Sequence, residues 1–82
     1  MSQIDDLIRR FQSFPNDFSY RELKKLLSHF GYQEVQGDGS RVRFIRNPGE
    51  QIITLHMPHG KEPVKRYLLR EILQKLQRND DL

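Results

Sequence analysis

The stretch GDGSRVRFIRNPGEQIITLHM, residues 37–57, decides the fold. A glycine turn opens it. Residues 41–46 then alternate, with Val42 and Phe44 on one side and Arg41 and Arg43 on the other. A period of two marks a strand with one buried face. NPGE (47–50) carries proline second and glycine third, as a tight turn prefers. Residues 51–57 then read as the next strand of a hairpin. A loop of Pro48-Gly49, or of residues 47–50, pairs positions whose numbers sum to 97. Phe44 then faces Ile53 and Val42 faces Leu55, a sensible core layer. The other face sets Ile45 against Ile52, Arg43 against Thr54 and Arg41 against His56. An odd-length loop or a bulge would break this register.

Working outward, residues 32–36 form a short strand ahead of the turn. Tyr20, Leu23, Leu26, Leu27 and Phe30 lie on one helical stripe. Ser19 and Glu22 make a capping box at its start, and Gly31 suits a left-handed cap at its end. Ile4, Leu7, Ile8 and Phe11 mark an earlier helix, with Ser2 and Asp5 as its cap; FPNDF (14–18) breaks it. HMPHGKE (56–62) is a loop. Pro63 fits the first turn of a last helix whose apolar face holds Val64, Leu68, Leu69, Ile72, Leu73 and Leu76.

The expected fold is α+β in the order α-α-β-β-β-α. A three-stranded antiparallel sheet carries helices on one face. The face with Arg41, Arg43, Thr54 and His56 is left open. The chain divides into an N-terminal helical extension (1–18), one domain (19–78) and a frayed polar tail (79–82).

Composition narrows the function. At 82 residues the chain is one domain with a thin core. It has no cysteine, which excludes disulfides, thiolate metal sites and cysteine nucleophiles. A reducing cytoplasm is the expected location. The first residues lack the apolar run of a signal peptide, and no stretch is long enough to span a membrane. Residues 41–78 hold nine cations against three carboxylates, a net +6. The hairpin and last helix therefore suit an anionic partner, or form an ordinary solvated surface.

LKKLLSHFGY (23–32), GDGSRVRF (37–44), HGKE (59–62) and LLREILQKL (68–76) follow one another in an order and spacing that resemble the HicA toxins. These are the small RNA-cutting partners in type II toxin–antitoxin pairs. The resemblance implies a fold like that of double-stranded-RNA-binding domains, mRNA as ligand, mRNA interferase activity, and a HicB-type antitoxin as partner. Relatives commonly keep one or two histidines directly after G-S on the second strand, one of them catalytic. Here Arg41 and Val42 stand there. Valine is no base, and arginine stays protonated.

Metal-independent RNA cleavage needs a base for the 2′-hydroxyl, an acid for the leaving oxygen, and cations for the developing phosphorane charge. Histidine suits the first two roles. His56 is the leading candidate, since the register sets it across from Arg41. The alternative is an exposed strand-end histidine with no task. His59 opens the HGKE motif and is a second candidate. His29 reads as a dipole partner near a helix end. His56 and His59 make a poor metal pair without a third ligand nearby, and neither metal nor cofactor is expected. Arg41, Arg43, Lys61, Lys65 and Arg66 are the candidate phosphate contacts, the last three around the start of the final helix. Two rivals remain open. One is a non-catalytic RNA- or protein-binding module that has lost the family histidine. The other is an interaction domain whose first helix makes dimer contacts.

Overall fold

A computed structural model describes residues 3–46, 50–58 and 60–82, with residues 50–52 described by backbone. The elements are α1 (Gln3–Gln12), α2 (Tyr20–His29), β1 (Gln33–Gln36), β2 (Arg41–Arg46), β3 (Glu50–His56) and α3 (Arg66–Arg78). The strands form one antiparallel sheet in the order β1-β2-β3. This is the α+β order expected from the sequence. The Ser2 cap and the turn at 47–49 fall outside the described residues.

The hairpin keeps the expected register at its open end. Arg41 pairs with His56, Val42 with Leu55, Arg43 with Thr54 and Phe44 with Ile53. Beyond Phe44 the register shifts, so that Ile45 faces Gln51 and Arg46 faces Glu50. The expected Ile45–Ile52 pair is therefore corrected. The strands meet at Arg46 and Glu50, one residue out of step with the core pairs. A bulge absorbs the extra residue and lets Phe44 and Ile53 stay opposed. At the other end of β2, Gly39 takes φ +63°, and Arg41 N–H donates to Asp38 O at 3.2 Å. The left-handed glycine closes the β1–β2 turn.

Local chemistry fixes α2 at both ends. Ser19 Oγ accepts from Glu22 N–H at 3.1 Å, and Glu22 Oε1 accepts from Ser19 N–H at 3.0 Å. Arg10 Nε donates to the same carboxylate at 2.9 Å. Burial pushes the Glu22 carboxyl up, but the bonds from Ser19 and Arg10 outweigh it and hold the group below the usual range. At the far end Gly31 takes φ +91°. Its N–H donates to Ser28 O and that of Tyr32 to Leu27 O, both at 3.0 Å, closing a Schellman motif.

The last helix starts later than the sequence suggests. Pro63 does not sit in its first turn, because α3 begins at Arg66 behind an extended Lys65. Val64 N–H donates to Phe18 O at 2.7 Å. The segment before α3 is thus bonded across to the α1–α2 connection instead of coiling. Val64 is buried as expected, but from this segment and not from the helix.

One core lies between the helices and one sheet face. Val42, Phe44, Ile53 and Leu55 meet Leu23, Leu26, Leu27, Leu69, Ile72 and Leu76 there. Leu7, Phe11 and Phe18 belong to the same core, so residues 7–18 pack into the body of the domain. Residues 79–82, expected to fray, fold back. Asp80 takes φ +61°, and Asp81 N–H donates to Leu76 O at 2.8 Å. Asp81 Oδ1 accepts from Arg46 at 2.9 Å. Among the described residues no helix is long and apolar enough to cross a membrane.

Candidate nucleic-acid interface

Alternation along β2 sends Val42 into the core, 1% exposed, and leaves Arg41 and Arg43 exposed on the opposite face. Cross-strand pairing adds Thr54 and His56, both exposed, and Val35 across from Arg43 on β1. Met57 N–H donates to Ser40 O at 2.7 Å. Ser40–Met57 is therefore a hydrogen-bonded pair, and its neighbour Arg41–His56 is a non-hydrogen-bonded pair. Side chains in such pairs lie closer, with Cα atoms about 4.5 Å apart. The open face thus sets an imidazole beside a guanidinium. His56 Nδ1 lies 3.4 Å from Ser40 Oγ, within hydrogen-bond reach of the serine of GDGS. That contact leaves Nε2 as the ring nitrogen for other work.

The end of β3 also borders a cleft of about 420 Å³. His56 and Thr54 line one side of it; Glu62, Lys65, Tyr67 and Leu68 line the other. Lys65 is the N-cap of α3, with no side-chain cap hydrogen bond and no acidic residue in the first turn to offset the positive helix end.

The candidate cations separate into two groups. Arg41, Arg43, Lys61 and Lys65 are exposed around the open face and the approach to α3. Arg66 is engaged elsewhere: its Nε donates to Phe14 O at 2.8 Å and ties α3 to the α1–α2 connection. Arg46, part of the sequence charge count, is likewise structural. It donates to Phe30 O at 3.0 Å and Asp81 Oδ1 at 2.9 Å, with its guanidinium 4.4 Å from the Tyr32 ring centre. His29 is exposed on α2, its ring in a T-shaped contact with that of Phe30. His59 lies outside the described residues. Among the described residues no cluster of three or more histidines and carboxylates could hold a metal ion.

Sequence reasoning missed Tyr67. Among the described residues it is the one large apolar side chain that is exposed, at 59%. A signal existed: the α3 stripe runs through Leu68, Leu69, Ile72, Leu73 and Leu76, and Tyr67 falls off it, among Arg70, Glu71 and Gln74. An aromatic on a polar helix face has no core to explain it.

Fold and site define a class: a small α+β domain with helices behind its sheet and cations on the exposed sheet face. The family model described as the HicA toxin of bacterial toxin-antitoxin matches residues 20–77. That is well over half of the chain, and the chain belongs to the HicA toxin family. Membership makes it the toxin side of a toxin–antitoxin pair. No curated protein and no solved structure matches it.

Proposed function

We propose that this toxin binds mRNA across Arg41, Arg43 and the approach to α3, and cleaves it as a metal-independent ribonuclease with His56 as the base. The observation that carries the reading is the Arg41–His56 pair on the open face. It brings a histidine to the side of the position where relatives keep theirs.

The chemistry follows from those groups. His56 takes the proton of a 2′-hydroxyl, and the freed oxygen attacks the adjacent phosphorus. The bond to the 5′-oxygen breaks, leaving a 2′,3′-cyclic phosphate, and the departing 5′-oxygen takes a proton from solvent water to become a hydroxyl. Arg41 and Arg43 stabilise the charge that builds on the phosphoryl oxygens. A HicB-type antitoxin with an acidic surface would cover the same cations and silence them. Cytoplasmic mRNA is the fitting target for a chain without cysteine.

The burial of Val42, in one of the two positions where relatives keep a histidine, favours the second reading, a module that binds RNA or protein without cutting. Expression in a bacterial host separates the two. The cleaving toxin arrests growth and fragments mRNA, and co-expressed antitoxin relieves both. A binding module leaves mRNA intact. RNA affinity that is flat with salt would remove both RNA readings, because contacts to phosphate release counterions.

A further inference from the structure

We infer that Tyr67 and the cleft beside it form a nucleobase pocket, which holds one unpaired RNA base next to the phosphate that Arg41 and His56 face. The inference rests on the RNA reading above and adds to it the residue that seats the nucleotide.

The charge around the cleft argues for a base there and not a phosphate. Lys65 and Glu62 both line it, so it carries a carboxylate against its cation. A phosphate gains more outside, at Arg41 and Arg43, where among the described residues no ion pair engages either guanidinium. The cleft itself suits a flat, neutral group with hydrogen-bonding edges. Its volume of about 420 Å³ lies in the range of small-ligand clefts. Tyr67 supplies an exposed aromatic face, and Pro58 and Leu68 supply apolar walls. Bases stack on such rings whatever their identity, while the Glu62 carboxylate can accept from the N–H groups of a base edge.

The geometry also selects the form of the RNA. A paired base is stacked inside its helix and cannot reach a side chain in a cleft, so an occupant must come from a single strand, loop or bulge. His56 borders the cleft and the basic face at once. A base held on Tyr67 therefore sets which phosphodiester stands beside the histidine.

The test is binding of a short labelled single-stranded RNA, and of its duplex, to wild type, Tyr67→Ala and Tyr67→Trp at several salt concentrations. Tyr67 is exposed, so the variants should fold, which circular dichroism checks. Tyr67→Ala should weaken single-strand binding roughly tenfold or more, the loss of one base stack. Its salt slope should match wild type, since no charge has been removed. Tyr67→Trp should bind like wild type, and a fluorescent purine analogue in the strand should be quenched by wild type but not by Tyr67→Ala. Unchanged affinity in Tyr67→Ala, with salt-sensitive binding by wild type, overturns the base pocket and leaves the RNA reading standing. Loss of antitoxin capture with RNA affinity intact would also overturn it, marking Tyr67 as a protein-contact residue. No salt-sensitive binding by wild type would end the RNA reading itself, and the pocket with it.

Discussion

Arg46 and Arg41 are five positions apart on one strand, yet they do opposite things. Arg46 has the parity of Val42 and Phe44, so it turns toward the helix side and is held by Phe30 O, Asp81 and the Tyr32 ring. Arg46→Ala should lower stability by about 1.5–3 kcal/mol, the usual worth of a hydrogen bond to a charged group, in urea unfolding. RNA affinity per folded molecule should stay unchanged. The parity of Arg46 was legible in the alternation, whereas its partner Asp81 was not, because thirty-five residues separate them. Two tyrosines give a further test. Burial, then the bond to Glu34, pushes the Tyr20 hydroxyl up; burial does the same to Tyr32, against a bond from Asn79. Both ionise more readily in the unfolded chain, at a pH of about 10. Their contribution is therefore complete below that pH and declines as pH rises above it. Thermal unfolding should show this alkaline loss, and Tyr20→Phe should make it shallower.

At the scale of elements, the parts that local chemistry determines were readable. The Ser19–Glu22 box, the left-handed Gly31 and the β2 alternation all appear where the sequence puts them. Gly31→Ala should cost about 1–2 kcal/mol, the penalty for a side chain in left-handed backbone, measured by urea or thermal unfolding. Its φ is +91°, and an added Cβ would also meet Arg46 Cδ at 3.4 Å. What stayed hidden depends on distant partners. The bulge past Phe44 reconciles core pairing with the meeting of Arg46 and Glu50, and no local pattern in 41–57 encodes that choice. The start of α3 shifts to Arg66 because Val64 bonds to Phe18, forty-six residues earlier. The shift matters for the candidate site, since it makes Lys65 the cap of α3 and puts Tyr67 in its first turn.

For the whole molecule, one sheet face is spent on the core and the other is exposed. Leu7, Phe11 and Phe18 lie outside the matched residues 20–77 but inside the core. Removing residues 1–18 should therefore unfold the domain, not merely shorten it. Truncating Phe11 alone, as Phe11→Ala, should cost about 3–5 kcal/mol in urea unfolding. The net charge of residues 41–78 was legible, but not its division, because Arg46 and Arg66 serve the fold while Arg41 and Arg43 remain on the exposed face. The histidine could be placed opposite Arg41 because the sum of 97 holds at that end of the hairpin. The cleft could not be foreseen, since it forms between β3 and a segment whose path depends on Phe18.

RNA cleavage in vitro by purified wild type and by His56→Ala, with folding and RNA affinity checked on both, tests most directly whether His56 is the base. Wild type should cut without added metal and leave 2′,3′-cyclic phosphate ends. His56→Ala should bind with similar affinity and cut roughly a hundredfold more slowly or worse, the scale of a lost general base. A folded His56→Ala that cleaves at the wild-type rate would contradict that role for His56.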